Sequence, residues 1–71
     1  MPKQITMYGK DTCPYTNAAR RDYINDGYEI EYKNVVKNPE YLPEMLALTE
    51  GKRRVPVMVI DGKVIIGHGG T

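Results

Sequence analysis

The stretch VPVMVIDGKVIIG, residues 55–67, contains two apolar runs of β-type residues joined by the dipeptide Asp61-Gly62. Asp-Gly is favoured in type I′ turns, whose twist matches that of the strands on either side. We therefore predict an antiparallel hairpin with strands at residues 57–60 and 63–67. If this hairpin joins a parallel pair of strands, the resulting sheet contains both kinds of pairing and is a mixed sheet.

Upstream of the hairpin, the pattern predicts a strand, a helix and a second strand. Residues 5–8 form a short β-type run that breaks at Gly9, and Pro14 suits the first position of a helix. Apolar and charged residues then alternate over 28–33, which is typical of a half-exposed strand. A strand, helix and strand in this order favour parallel pairing with a right-handed crossover.

A second helix is predicted before the hairpin, with Asn38 as its cap and Pro39 as its first residue. Pro43 lacks an N–H group, so we expect an irregular first turn before a regular helix to about Thr49. Gly51 is expected to end it. The predicted architecture is α/β, a single domain over residues 1–71 with a four-stranded mixed sheet in the order β1α1β2α2β3β4 and both helices packed on it. The residues expected on the buried face of the second helix are Leu42, Met45, Leu46 and Thr49.

The composition excludes several classes of protein. Ten Lys and Arg against nine Asp and Glu give a formal charge of +1, which offers no general attraction to nucleic acid or anionic membranes. No run approaches the roughly 20 apolar residues that cross a bilayer, and no signal peptide is recognisable. One cysteine cannot form an internal disulfide, so we expect a soluble, monomeric protein of the reducing cytoplasm.

That cysteine, Cys13, directly precedes Pro14 at the predicted helix start. The first N–H groups of a helix lack partners, and the helix dipole adds partial positive charge there, so both stabilise a thiolate. The alternative is a small buried apolar residue, a common fate of free cysteine. The loop lies where the first strand ends, the usual place for sites in open α/β sheets, which favours a nucleophile.

Three features together resemble the glutaredoxins, the small thiol-transfer branch of the thioredoxin fold. They are CPYT at residues 13–16 after a strand, Lys10 three residues ahead of the cysteine, and RVP at 54–56 before the hairpin. The resemblance covers nearly the whole chain and implies a minimal thioredoxin/glutaredoxin fold without the C-terminal helix. GKDTCPYT and the ending GHGGT also resemble a short bacterial subgroup with a monothiol site, of which some members carry selenocysteine at the Cys13 position.

The resemblance implies a glutathione-dependent thiol-disulfide oxidoreductase. Cys13 would attack a mixed disulfide and take the glutathionyl group, which a second glutathione would release, with no metal involved. Thr16 stands where the second, resolving cysteine of the family is usual, so the cycle would be monothiol. The Thr16 hydroxyl could donate to the Cys13 sulfur, or equally could bond its own helix backbone.

Glutathione-binding residues are likewise implied by the resemblance. Val55 would pair with the cysteinyl backbone beside a cis Pro56, and Arg54 replaces the threonine usual before Val-Pro. The unbonded N–H groups of the final glycines could take a carboxylate in place of the family's last helix. For Lys10 and Lys52 the alternative is an ordinary solvated lysine, and for Tyr15 it is ordinary surface or core packing. The implied binding residues are Lys10, Tyr15, Lys52, Val55, Pro56, Gly69 and Gly70.

Two other functions remain open on the sequence. One is a module that binds glutathione or an iron–sulfur cluster between two subunits without turnover, although Pro14-Tyr15 differs from the Gly-Phe of cluster-holding relatives. The other is an interaction domain in which the thiol plays no part. The partners expected on the first interpretation are glutathione and small or protein disulfides, without nucleic acid or membrane.

Overall fold

A computed structural model describes residues 3–70. Residues 1, 2 and 71, which the predicted domain includes, lie outside the described residues. The strands pair in the order β2-β1-β3-β4, so the predicted four-stranded mixed sheet is confirmed. Its elements are β1 (Gln4–Gly9), α1 (Pro14–Asn25), β2 (Glu29–Asn34), α2 (Tyr41–Thr49), β3 (Val57–Ile60) and β4 (Lys63–Ile66).

Strands β1 and β2 are parallel, with Ile5 opposite Ile30 and Gly9 opposite Asn34. Because parallel strands end at the same edge of a sheet, the loop that follows Gly9 leaves at the carboxyl edge. Strand β3 runs antiparallel to β1, with Met7 opposite Met58. The start of β3 therefore also lies at the edge where β1 ends, and this juxtaposition forms the site.

The hairpin has the predicted turn. Asp61 and Gly62 both adopt positive φ, 50° and 78°, as a type I′ turn requires at its two central residues. Strand β4 ends at Ile66, one residue earlier than predicted, although the Gly67 N–H still donates to the Pro56 carbonyl at 2.7 Å. No helix follows β4 within the part of the chain that the structure describes.

Successive side chains of β1 point to opposite faces of the sheet, and each face carries one helix. Met7 packs with Ala19 of α1, whereas Tyr8 packs with Met45 of α2. The helices therefore cover opposite faces, and β1, in the middle of the sheet, is buried on both sides. The buried residues are Ile5, Met7, Ala19 and Met58 on the α1 face and Tyr8, Val35, Met45 and Val57 on the α2 face.

The start of α2 differs from the prediction by two residues. The regular helix begins at Tyr41 and not at Pro39, and Asn38 supplies a backbone carbonyl to the Tyr41 N–H instead of a side-chain cap. Pro43 has no N–H to donate to Pro39, whose carbonyl accepts from Leu42 instead at 3.0 Å. The predicted irregular first turn is confirmed, and it displaces the helix start.

Helix α2 ends at Thr49, as predicted, and the turn after it leads into the site. Glu50 and Gly51 adopt left-handed φ values of 57° and 86°, and the Gly51 N–H donates to the Leu46 carbonyl at 2.9 Å. The Thr49 hydroxyl donates to the Lys52 carbonyl at 2.7 Å. These bonds fix the start of the loop that reaches β3.

Among residues 3–70, neither helix has the length and apolarity required for a membrane span.

Candidate functional site

Cys13 is the residue that precedes the first turn of α1. Its N–H donates to the Lys10 carbonyl at 3.2 Å, which closes a tight turn after β1, and its own carbonyl accepts from the Asn17 N–H at 3.1 Å. The Asn17 side chain also donates to the Asp11 carbonyl at 2.9 Å. Pro14 is the first helical residue, where its missing N–H breaks no bond. The loop and the helix therefore hold the cysteine from both sides.

The surroundings of Cys13 favour its thiolate. Burial alone would raise the pKa of the thiol, but four groups outweigh it, and the pKa lies below its ordinary value. They are the Thr16 hydroxyl, the N–H groups of Thr16 and Tyr15, and the Lys10 charge, in decreasing order. The amides are among those that a helix leaves without partners in its first turn.

Thr16 lies one turn along α1 and is fully buried. Its hydroxyl has no hydrogen-bond partner among the described residues, so the alternative in which it bonds its own backbone is not observed. A buried polar group without a partner costs about 1–3 kcal/mol. Ionisation of Cys13 supplies an acceptor to this hydroxyl, and the cost is then relieved.

Gly9 makes room for this arrangement. A Cβ atom at residue 9 would lie 2.5 Å from Cγ2 of Thr16 and 2.8 Å from its Oγ1. At such distances a side chain at residue 9 would force Thr16 to shift, and Thr16 is short and fully buried. Glycine at the end of β1 is therefore what lets the threonine approach the strand.

The loop before β3 faces Cys13. The thiol donates to the Val55 carbonyl, with Sγ 3.9 Å from the oxygen, and the Val55–Pro56 peptide bond is cis, as the resemblance implied. Pro56 is buried and Val55 is half-buried. Two distant stretches of sequence therefore meet at one sulfur atom.

An open cleft of about 380 Å³ lies over Cys13. The cysteine itself exposes only 5% of its surface, so it is recessed, and the cleft is the space that it lines. Three cations border this cleft, and no Asp or Glu side chain of residues 3–70 does. Its lining residues are Lys10, Thr12, Cys13, Pro14, Tyr15, Arg53, Arg54 and Val55.

The segment after β4 folds back along α1. His68 Nε2 lies 2.8 Å from Asp22 Oδ2, and the centre of the His68 ring lies 5.8 Å from the centre of the Tyr23 ring. Gly70 lies against Tyr15, because a Cβ atom there would come within 2.6 Å of the tyrosine Cζ. The segment therefore reaches the cleft at one of its walls.

A polar cluster holds the other side of the loop before Cys13. The Tyr32 hydroxyl donates to Asp11 Oδ1 at 3.0 Å, and the Arg20 guanidinium lies 4.2 Å from the centre of the Tyr32 ring. Burial and the Asp11 carboxylate raise the pKa of Tyr32 to about 12, so this hydroxyl stays protonated and remains a donor at neutral pH. The sequence offered no signal for this cluster, because its members come from three separate elements.

Comparison with known proteins identifies the family of this chain. The family model for glutaredoxin matches residues 5–65. The chain belongs to the glutaredoxin family. It is similar to a thioredoxin of Methanocaldococcus jannaschii, with 33% identity over 67 residues, 86% of this chain and 73% of the relative. Its fold matches the crystal structure of a glutaredoxin from Archaeoglobus fulgidus, with a TM-score of 0.80, 23% identity, and 92% of this chain and 75% of that chain covered.

Membership of the glutaredoxin family indicates a function of the thiol-disulfide oxidoreductase type. The structure brings most of the implied glutaredoxin residues together. Lys10, Tyr15 and Val55 line the cleft with Cys13, and Pro56 follows Val55. Gly70 touches Tyr15, whereas nothing approaches the Cβ position of Gly69 within 4 Å.

Lys52 is not brought to this cleft. It lines a separate hollow of about 210 Å³ between the end of α2 and β4, with Leu48, Glu50 and Ile66 among its neighbours. Arg53, which the sequence analysis did not select, takes a place in the cleft instead, next to Arg54. Its closeness to the Val-Pro step in the sequence is the signal that could have identified it. Among residues 3–70 there is no group of three His, Cys, Asp or Glu residues that could hold a metal ion.

Proposed function

We propose that this protein catalyses glutathione-dependent thiol-disulfide exchange in which Cys13 is the only thiol that the protein contributes. The Cys13 thiolate attacks the glutathione sulfur of a mixed disulfide, a new sulfur–sulfur bond forms, the old one breaks, and the other thiol leaves as a thiolate that solvent protonates. A second glutathione thiolate then attacks the Cys13-glutathione disulfide, which releases glutathione disulfide and restores Cys13. In each step the attacking thiolate is oxidised to a disulfide and the departing sulfur is reduced to a thiolate, so no external oxidant or reductant is needed.

The observation that carries this proposal is the recessed sulfur at the base of an open cleft, surrounded by donors that lower its pKa. A thiolate is the nucleophile in disulfide exchange, and a thiol is not. The helix-start amides and the Thr16 hydroxyl act on the sulfur itself, so they stabilise the attacking form before any substrate binds.

The monothiol form of the cycle is supported by the sequence. Cys13 is the single cysteine of the chain, and Thr16 occupies the place one turn along the helix. A threonine cannot resolve a mixed disulfide, so a second glutathione has to do so. A chain with one cysteine also suits a reducing compartment such as the cytoplasm, which is where we place the reaction.

Binding of glutathione is supported by the walls of the cleft. Val55 lies beside the sulfur in the half-buried loop, where its backbone could pair with an extended peptide as an added strand would. Tyr15, 40% exposed, offers a flat apolar wall next to the sulfur, and Lys10 offers a cation. The segment that reaches Tyr15 through Gly70 brings backbone N–H groups to this wall, and such groups suit the γ-glutamyl carboxylate.

The test is turnover of a glutathionylated small disulfide in an assay coupled to glutathione reductase. We expect turnover by the wild type and none by Cys13→Ser, whereas the control Ala47→Ser, at an exposed residue of α2 outside the cleft, should keep wild-type turnover. Equal turnover by Cys13→Ser would refute the proposal. Alkylation of Cys13 against pH decides the thiol-independent alternative, which requires the cysteine to be unreactive at neutral pH.

A further inference from the structure

The ten cations of this protein fall into three groups: four that pair with a carboxylate, three that border the cleft, and three that do neither among residues 3–70, which are Lys37, Lys52 and Lys63. Among the described residues, four of the ten lysine and arginine side chains have a carboxylate oxygen within 4.0 Å, and all four lie away from the cleft. The three that border the cleft have no such partner in residues 3–70, and none of the nine acidic residues lines it. The paired cations are Lys3, Arg20, Arg21 and Lys33.

The cleft therefore concentrates positive charge that the whole molecule does not have. The chain carries a formal charge of +1, whereas Lys10, Arg53 and Arg54 bring three positive charges to the space over one sulfur. Like charges without counter-charges are unfavourable in one small space, and a cleft focuses their field on whatever enters it. This arrangement therefore favours the binding of an anionic ligand.

In the proposed exchange, bound glutathione balances only part of the positive charge of the cleft. A glutathionyl unit has two carboxylates and one ammonium group, so it carries one net negative charge near neutral pH. When Cys13 attacks, its own negative charge is transferred to the departing thiol. The three cations then face a net charge of only −1 on the bound glutathionyl unit, apart from whatever the departing half carries.

We propose that Arg53 and Arg54 select disulfides whose departing thiol is a small molecule that carries an anionic group, such as a carboxylate, sulfonate or phosphate. This inference rests on the proposed function and names the substrate class for the same site. Arg54 directly precedes Val55, whose carbonyl lies 3.9 Å from the sulfur, and both arginines line the cleft into which the departing thiolate is released. A cleft of about 380 Å³ is of a size that binds small molecules.

The test uses mixed disulfides of glutathione with three thiols that share a two-carbon chain. These are cysteamine, a cation, mercaptoethanol, which is neutral, and mercaptoethanesulfonate, an anion. We expect kcat/KM, divided by the rate of the uncatalysed exchange with glutathione, to be about tenfold higher for the anion than for the cation. Raising the ionic strength from about 0.01 M to about 0.15 M shortens the Debye length from about 30 Å to about 8 Å and should reduce this preference.

The double variant Arg53→Gln/Arg54→Gln should lose most of the preference, so that its normalised kcat/KM values for the three substrates become nearly equal. The control Lys3→Gln/Lys63→Gln also removes two positive charges, at the opposite end of the sheet from Cys13, and should keep the preference. Equal kcat/KM for the three substrates in the wild type, or an unchanged preference in the double variant, would overturn the proposal.

Failure of the proposed function gives a different result. If no mixed disulfide is turned over, selection can still be measured as the rate at which Cys13 releases the coloured thiol from dithiobis(nitrobenzoate), a dianion, and from neutral dithiodipyridine. We expect the double variant to slow the reaction with the dianion several fold more than that with the neutral reagent. Equal slowing of both would overturn charge selection, whatever the outcome with glutathione.

Discussion

Replacing Thr16 by valine should have opposite effects on the reactivity of Cys13 and on the stability of the fold. Valine keeps the branched shape of the side chain, which is fully buried, and removes only the hydroxyl. That hydroxyl has no partner among the described residues while the thiol is protonated, and it stabilises the thiolate once the thiol ionises. The substitution therefore removes a destabilising unpartnered hydroxyl while the thiol is protonated, and it removes a stabilising hydrogen bond once the thiol is ionised.

The size of each effect follows from this arrangement. A hydrogen bond to a charged group contributes roughly 1.5–3 kcal/mol, and 1.4 kcal/mol is a factor of ten. Below the pKa of the thiol, the thiolate population of Thr16→Val should therefore fall about tenfold or more. An unpartnered buried hydroxyl costs about 1–3 kcal/mol, so the free energy of unfolding should rise by about that amount while the thiol is protonated.

The stability difference should depend on pH with a fixed sign. The pKa of Cys13 in the folded protein is lowered from its ordinary value of 9.0. The ionised thiol therefore contributes stability that is fully present above 9.0 and is lost as the pH falls through the lowered value. Because Thr16→Val reduces this contribution, its advantage over the wild type should be largest in acid and should shrink as the pH rises.

Reactivity is measured as the rate of alkylation by iodoacetamide against pH, and stability by urea unfolding in acidic and alkaline buffer. Thr16→Ser is the matched control, because it keeps the hydroxyl and loses one methyl group. It should react like the wild type and be less stable, the reverse of the valine variant. Alkylation of Thr16→Val as fast as the wild type at neutral pH would show that the hydroxyl does not hold the thiolate.

Three further substitutions test other parts of the structure. Gly9→Ala places a Cβ atom 2.5 Å from Cγ2 of Thr16, so alkylation should slow and the free energy of unfolding should fall by about 1–3 kcal/mol; wild-type values for both would contradict the contact. Asp22→Asn removes the carboxylate that His68 bonds, so amide exchange in the segment after β4 should quicken at neutral pH. Because His68, above all, lowers the pKa of Asp22 from 3.8, this difference should vanish as the pH falls through the lowered value, and a difference that persists in acid would contradict it. Met7→Ala empties a fully buried position in the central strand and should cost about 2–5 kcal/mol in urea unfolding, whereas a cost below 1 kcal/mol would contradict its place in the core.

The fold could be predicted where a local signal and the packing agree. Asp61-Gly62 predicts the hairpin because few other dipeptides accept positive φ at both residues, and the structure has this turn. The start of α2 was misplaced because two prolines give conflicting signals. Pro39 suits a first helical residue, but Pro43 leaves the Pro39 carbonyl without its usual donor, and the chain forms a tighter turn there.

The site likewise has features that the sequence predicts and features that only the packing of the fold determines. Cys13 and Thr16 are one turn apart on a helix whose start Pro14 marks, so their closeness could be read from the sequence. The crowding of Thr16 against β1 could not, since it depends on how the helix packs. The sequence does not predict that Arg53 rather than Lys52 lies at the cleft, because the left-handed turn at Glu50 and Gly51 sets the direction of the chain there and leaves no repeating pattern in the sequence.

Reactivity and selection therefore belong to different parts of this site. The loop after β1 and the first turn of α1 supply the amides, the hydroxyl and the glycine that act on the sulfur, and they do so before a substrate arrives. The loop before β3 supplies the Val55 backbone and two arginines, which act on the substrate. Since the Thr16 hydroxyl acts on the sulfur and Thr16 does not line the cleft, a change at Thr16 should scale the rate with every disulfide alike. A change at Arg54 should alter the ratio of rates between disulfides and leave the thiolate population nearly unchanged, because Arg54 is not among the groups that shift the pKa of Cys13.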